Sequence, residues 1–395
     1  MTKHTQSIQA FTALGKLLND YTSKNKRADD WIEKLDNALV SASDQNKWFT
    51  KENLDFCMSV WGQTLNEKDI TDWLTAYPAP QKATRLAVVL AGNIPLVGLH
   101  DVLCGLASGC SIEAKCSSND TLLLPLIVDF LVSDMPDWKD KVRFTEGKLE
   151  TYDKVIATGS NNTARYFEYY FKKKPHIIRK TRNGVAVLDG NETQEDLAAL
   201  CQDMMQYFGL GCRSVSHLMV PDGYDFNKLF LALYEHKDLI QHIAYANNYD
   251  YNKAVYLMQE QVLLENGFMM FKKDEGLNSP IACVHYSTYT NLEMVKQRLQ
   301  DQDEQIQCVV SNCVENAFAF GQTQYPKLGD YADHVDTMAF LLKNLLNKSQ
   351  SGLAISSNIS RTALSNPTVN ARATILCPMF NSSSQGTSSK PVRLV

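Results

Sequence analysis

The chain has 395 residues, which exceeds what one ordinary compact core organises, and two or three domains are expected. Its apolar fraction of 44% and charged fraction of 21% are those of a globular protein, and a net charge of -5 argues against a nucleic-acid partner. Its most apolar stretch, Thr121 to Val132, contains Pro125 and Asp129 and is too short to span a bilayer.

In chain order, the first segment (1–80) reads as amphipathic helices. Trp31, Leu35 and Leu39 recur at helical spacing, and Thr50 is placed to cap a helix with Glu52 in its first turn. Pro78 and Pro80 close the segment. Leu86 to Leu90 is then a continuous apolar run, the pattern of a strand buried on both faces. A helix is expected from Leu96 to Ser108, a strand over Ser111 to Lys115, and a helix over Thr121 to Val132. A strand and glycine turn over Tyr152 to Ser160 lead into a helix from Asn161 to Phe171. This alternation predicts a parallel α/β sheet of the nucleotide-binding type over 81–180. A second α/β unit follows over 181–320. Its expected strands lie at Val185–Leu188, Leu218–Pro221, Ile281–Tyr286 and Ile306–Val310. Its expected helices are Glu195–Tyr207, 226–248 and 252–265. Residues 321–347 form a return segment, and 348–395 is a Ser/Asn-rich tail without periodicity.

The ten cysteines have no CxxC pairing and no apolar signal core precedes them, so they read as reduced thiols of a cytoplasmic protein. No His/Cys cluster has zinc-ligand spacing, and no metal is expected. Cys212 stands apart. It sits in Tyr207-Phe208-Gly209-Leu210-Gly211-Cys212-Arg213-Ser214-Val215-Ser216, with glycines giving backbone room and Arg213 supplying a positive charge. Those are conditions that favour a thiolate nucleophile. Arg213 and a nearby helix N-terminus are candidates for lowering the thiol pKa, although Arg213 would equally suit a structural carboxylate partner.

Three upstream features would complete a site around this cysteine. Asn93 follows a buried strand in Ala91-Gly92-Asn93-Ile94-Pro95, where its amide would serve as an oxyanion donor or as a turn residue bonding local backbone. Lys115 ends the next strand, followed by Ser117 and Ser118. Thr158-Gly159-Ser160 precedes a helix N-terminus, a ready site for a pyrophosphate. No GxGxxG fingerprint occurs. His100 and Asp101 fall on the helix after Asn93. Asp333, His334 and Asp336 have the residue types of a triad but read as a polar helix or turn, with no assigned chemistry.

In this order the features resemble the aldehyde dehydrogenase superfamily. Within it they are most similar to the fatty acyl reductases of bacterial bioluminescence and their acyl-CoA reductase relatives, the LuxC family. The matching segments are Ala91 to Gly98, Arg182 to Leu188, Tyr207 to Ser216, and Phe320 to Pro326 with Asp330 to Met338. The likeness spans about residues 46 to 347. It implies an aldehyde dehydrogenase-like α/β fold with a Rossmann-like cofactor domain, an α/β catalytic domain and a helical N-terminal segment. It also implies that Cys212 accepts the acyl group while Asn93 and the Cys212 backbone N–H form the oxyanion hole. Lys115 would contact the adenosine ribose or its phosphate, and Gly159-Ser160 would lie under the pyrophosphate.

Two departures from ordinary aldehyde dehydrogenases matter. Their glutamate general base has no counterpart in Ile178-Arg179-Lys180-Thr181-Arg182, so water would be poorly activated and an acyl-enzyme would persist. Their ribose-binding glutamate falls at Leu277-Asn278-Ser279-Pro280, which has no carboxylate. The absence of an acidic side chain at Ser117-Ser118 favours NADPH over NADH. The resulting expectation is an aldehyde-forming acyl-CoA reductase, acting on a long-chain acyl-CoA or acyl-carrier thioester. An acyl-transferring or acyl-protein synthetase partner and a homo-oligomer would accompany it. The rivals are a CoA-acylating aldehyde dehydrogenase, a reductase of acyl phosphates, and a non-catalytic acyl-carrier or partner-binding protein on the same scaffold.

Overall fold

The computed structural model describes residues 3–23, 30–80 and 83–343, and the expected tail over 348–395 lies outside the described residues. Residues 1–344 belong to one compact unit. Helices α1 (Lys3–Thr22), α2 (Asp30–Gln45), α3 (Lys51–Thr64) and α4 (Glu67–Thr75) open it. Their spacing is used as expected: Leu35 and Leu39 are buried, and the Thr50 side chain caps α3 by accepting from the Asn53 N–H at 3.3 Å.

The first sheet comprises β1 (Arg85–Val89), β2 (Ser111–Lys115), β3 (Val142–Phe144), β4 (Lys154–Thr158) and β5 (His176–Arg179). Its order is β3-β2-β1-β4-β5 and every pairing is parallel. The apolar run of β1 serves both faces. Leu86 and Val88 pack towards α5 (Leu99–Ala107), α6 (Leu123–Asp134) and the N-terminal helices, while Ala87 packs with Val155, Ala157 and Phe171 under α7 (Asn161–Phe171). Helices therefore leave β1 and β4 for opposite faces. That reversal opens a crevice at the carboxyl ends of the two strands, where α/β sheets bind ligands. The structure differs from expectation at two places here. The helix expected from Leu96 starts at Leu99, because Leu96 adopts a left-handed φ of 53°. Strands β3 and β5 are edge strands of three and four residues, too short to announce themselves as apolar runs.

The second sheet is formed by β6 (Asn183–Val187), β7 (Val215–Pro221), β8 (Leu263–Glu265), β9 (Met270–Lys273), β10 (Cys283–Tyr289) and β11 (Ile306–Val310). Its order is β11-β6-β7-β10-β9-β8, parallel except for the β8–β9 pair. One face packs against α8 (Gln194–Met205), α9 (Asn227–Leu233) and α10 (Ile243–Met258), and the other against α11 (Leu292–Asp301). The helices expected over 226–248 and 252–265 are divided differently. A 3-10 stretch, Tyr234–Gln241, separates α9 from α10, and α10 runs without a break to Met258. Residues Leu263–Glu265 are strand, not helix. They pair with β9 through an Asn266-Gly267 turn in which the Asn266 side chain accepts from the Phe268 and Met269 N–H groups. Asn-Gly between short apolar segments is a strong hairpin signal that helical periodicity masked.

The return segment is anchored from both sheets. Asp203 on α8, fully buried, accepts from the Gly321 N–H (2.7 Å), the Thr323 N–H (3.0 Å) and the Thr323 hydroxyl (2.7 Å). Farther on, Lys154 of β4 donates to the carbonyls of Phe340, Leu341 and Lys343, satisfying the last turn of α12 (Thr337–Leu342). Tyr331 joins the segment to α4 by accepting from the Trp73 indole at 2.7 Å. These anchors account for much of the motif run after Phe320, whose role is to hold the chain across the site.

Candidate active site

Cys212 lies between α8 and β7, in a loop held by unusual backbone. The expected helix over Glu195–Tyr207 stops at Met205, and Tyr207, Phe208 and Gly209 follow with φ of 55°, 56° and 76°. Gly209 takes that region freely, whereas two aromatic residues there store strain of about 1–3 kcal/mol each. Packing holds them in place. Phe208 sits among Trp48, His242 and Tyr245, and Tyr207 lies against Phe56 while its N–H donates to the Asn53 side chain at 3.2 Å. Beyond the cysteine, Gly184 on β6 lets the loop come close: a Cβ there would stand 2.6 Å from the Ser214 carbonyl oxygen.

Asn93 reaches this loop from the end of β1, and its amide donates to the Leu210 carbonyl at 2.7 Å. One of its two donor hydrogens is thereby used and the other is left for a ligand. Among the described residues the Cys212 N–H has no backbone carbonyl partner, and its hydrogen bond is with its own thiol sulfur. The two groups expected to form an oxyanion hole are thus brought to one loop.

Two cavities meet at Cys212. The first, of about 1400 Å³ including its open mouth, is the more polar of the two and lies over the crevice of the first sheet. Asn93, Gly159, Ser160, Asn278 and Ser279 line it together with Cys212. Ser160 caps α7 by accepting from the Thr163 N–H at 3.3 Å, so the helix amino end faces this cavity. The second, of about 1010 Å³ with its mouth, is mainly apolar and runs between α3 and the start of α5. Ile94, Pro95, Leu96, Tyr207 and Leu328 contribute to its walls.

Lys115, Ser117 and Ser118 stand apart from both cavities. Lys115 does end β2, beside β1, but its Nζ donates to the Glu146 carbonyl at 3.1 Å. Ser117 packs against Gly92 and accepts from the Asn119 N–H.

The charged groups around the thiol come from segments to which the sequence assigns no chemistry of their own. Arg179, at the end of β5, lines both cavities and pairs at 2.6 Å with Asp101, the two side chains being 7% and 8% exposed. Arg182 pairs with Asp333 at 3.3 Å. The β5 end itself carries no carboxylate, as expected, yet α5 and the return segment bring Asp101 and Asp333 to the cleft. Each is engaged by an arginine. Burial pushes both carboxyl groups up from their ordinary range, and the arginines oppose that shift. Asp333, His334 and Asp336 form no relay. His334 Nε2 bonds the Gln307 carbonyl at 2.9 Å, and Asp336 caps α12 by accepting from the Ala339 N–H. His100 lines the apolar cavity, donating from Nε2 to the Leu328 carbonyl at 3.0 Å. Burial first, and Arg179 second, lower its pKa to about 4, so the ring is neutral at neutral pH.

The expectation of a lowered thiol pKa is corrected here. Cys212 meets solvent in the cleft, yet the surrounding walls remove enough hydration to push the thiol up. Arg213 and Arg179 pull it down and Asp333 pushes it up, but the loss of hydration outweighs them. Arg213 instead donates to the Asp330 carbonyl at 3.3 Å and lies over the Phe318 ring. No helix begins directly after Cys212, where the chain enters β7, but the amino end of α5 at Gly98 lines a cavity with it. Alkylation of Cys212 by iodoacetamide is therefore expected to titrate above a thiol in the unfolded chain. Asp333→Asn should lower that midpoint by removing a negative neighbour, and Arg213→Met should raise it. Alkylation rates measured against pH on the three proteins check both signs, and a wild-type midpoint below that of the unfolded chain would contradict the account.

Among the described residues no group of three or more His, Cys, Asp or Glu side chains is placed to hold a metal ion, and no helix is long and apolar enough to cross a membrane. No family model and no curated protein matches the chain. Solved structures do. A benzaldehyde dehydrogenase of Corynebacterium glutamicum matches with a TM-score of 0.55 at 10% identity, over 79% of this chain and 76% of that one. Aldehyde dehydrogenase 21 of Physcomitrella patens matches with a TM-score of 0.58 at 11% identity, over 80% and 74%. An indole-3-acetaldehyde dehydrogenase of P. syringae, solved with NAD+, matches with a TM-score of 0.56 at 11% identity, over 83% and 75%. At these identities the likeness is one of architecture: this chain has the aldehyde dehydrogenase fold, with Cys212 where its two cavities join and Asn93 in the more polar one.

Proposed function

We propose that this protein reduces an acyl thioester to an aldehyde through an acyl group carried on Cys212. The observation that carries the reading is the meeting of a mainly apolar cavity and a more polar one at one thiol, with Asp101 and Asp333 each tied to an arginine. The apolar cavity suits an acyl chain. The polar one suits a nicotinamide dinucleotide, whose diphosphate would lie at the amino end of α7 by Ser160 with the cations Lys180 and Arg182 lining the same space. When bound in reduced form, that cofactor supplies a hydride. We take it to be NADPH, with Lys115 and the Ser117-Ser118 turn as candidate contacts to its adenosine end, beyond the cavity itself.

The chain's own groups do the following. The Cys212 sulfur attacks the thioester carbonyl carbon, and its proton leaves with the departing thiol. The new thioester bond replaces the old one at little net cost. Asn93 and the Cys212 N–H hold the carbonyl oxygen as it gains negative charge, first in acyl transfer and again in reduction. Collapse of the reduced adduct expels the Cys212 thiolate and frees the aldehyde. With Asp101 and Asp333 held in ion pairs, neither of these two carboxylates is free to activate water, which slows hydrolysis of the acyl-enzyme.

The test is acylation followed by discharge. Radiolabelled acyl-CoA should label the wild-type chain stably and leave Cys212→Ala unlabelled, and NADPH should release the label as aldehyde. Label that never attaches, or attaches equally to Cys212→Ala, sinks the reading. Label that attaches but resists NADPH points to an acyl-carrier protein instead.

A further inference from the structure

One wall of the apolar cavity is a single helix face. Cys57, Val60, Trp61 and Thr64 of α3 all line it, at the i, i+3, i+4, i+7 positions that lie one above another. The Cys57 end is the one nearest the nucleophile. Its Sγ donates to the Pro95 carbonyl at 3.4 Å, and the adjoining Ile94 reaches Gly211, its Cδ1 standing 3.8 Å from where a Gly211 Cβ would be. Thr64 is two turns farther along the axis, about 10 Å away at 1.5 Å of rise per residue. Burial pushes the Cys57 thiol up to about 12, so that side chain is a neutral part of the wall and not a second nucleophile.

We propose that this face of α3 measures the acyl chain: an unbranched chain extends from Cys212 past Cys57 and Val60 towards Thr64. The inference rests on the acyl-carrying role of Cys212 and adds the class of acyl group. A face of about 10 Å matches roughly eight carbon atoms in extended form, given carbon–carbon bonds of about 1.5 Å. The face therefore holds roughly eight carbons beyond those that lead from Cys212 to Cys57, and the side chains on its outer turns set the limit. Trp61 occupies the middle of the face, and Thr64 its far end.

Rates of Cys212 acylation, followed by intact-protein mass spectrometry, test this with straight-chain acyl-CoAs from butanoyl to hexadecanoyl. Wild type is expected to gain about fourfold per added methylene, the value of burying one such group, until the chain fills the face. Thr64→Phe should lower the ratio of decanoyl to butanoyl rates about tenfold, the discrimination typical of an apolar pocket changed by one group. Trp61→Ala should move the plateau to longer chains. Profiles that coincide in all three proteins, or variants that change every chain length by the same factor, overturn the ruler while leaving the nucleophile in place. A wild-type protein acylated by none of the donors overturns the reductase reading, and the ruler with it.

Discussion

Asn93→Ala is expected to lower the rate of acyl reduction by about a hundred- to a thousandfold, the usual cost of removing one oxyanion donor. The amide has two donor hydrogens, and one is already spent on the Leu210 carbonyl at 2.7 Å. The substitution therefore removes a charge-stabilising donor and also frees the loop that carries Cys212. The two effects separate by experiment. Loss of the loop tether alone would change the alkylation rate of Cys212 in the absence of substrate. Loss of the oxyanion donor would slow acyl transfer and reduction while leaving alkylation and cofactor binding near their wild-type values. Single-turnover rates, alkylation kinetics and calorimetric binding of NADPH distinguish these outcomes. A fall in the reduction rate of less than about threefold, well short of the cost of a lost donor, would remove Asn93 from the oxyanion hole and leave it as a turn residue.

Arg179→Met should destabilise the fold by about 3–5 kcal/mol, because it strands the buried Asp101 carboxylate without its counter-charge. The deficit is expected to depend on pH. Burial already pushes the Asp101 carboxyl up and Arg179 restrains it, so the variant folds with a still higher carboxyl pKa. A carboxyl raised in the fold favours the protonated folded state. The loss should therefore be small below the unfolded carboxyl pKa and grow as pH rises through and above it. Urea unfolding of wild type and variant at mildly acidic and mildly alkaline pH measures it, and a deficit that is flat or larger in acid would contradict the sign. Asp101→Leu combined with Arg179→Met should recover part of the loss, since an apolar pair often replaces a buried ion pair well. This matters for the site as well as for stability, because Arg179 lines both cavities that meet at Cys212.

Much of the fold was readable from local chemistry. The run Leu86 to Leu90 became the central strand of its sheet, Asn161–Phe171 became α7 with the expected limits, and Thr50 caps α3. These succeed because burial on both faces, helical spacing and side-chain caps each leave a short-range pattern. The β8–β9 hairpin is hidden for the opposite reason: its strands have three and four residues, and the apolar spacing of α10 runs on into them. The left-handed Tyr207 and Phe208 have no sequence signature, since the packing of Trp48, Phe56 and Tyr245 imposes a backbone that neither residue prefers.

The candidate site divides along the same line. By itself the sequence determined the candidate nucleophile and its loop, the strand-end asparagine, the glycine turn before α7 and the lack of a carboxylate at the end of β5. Each depends on a few adjacent residues whose roles are local. Only the tertiary structure decided which charges surround the thiol. Asp101 and Asp333 reach the cleft from α5 and the return segment, far apart in the chain, and the enclosing walls raise the thiol pKa that Arg213 was expected to lower. It also decided that one face of α3 walls the apolar cavity, and that Lys115, Ser117 and Ser118 lie away from both cavities. Hydration and through-space charge depend on what folds against a group, not on what neighbours it in sequence, so no local pattern records them.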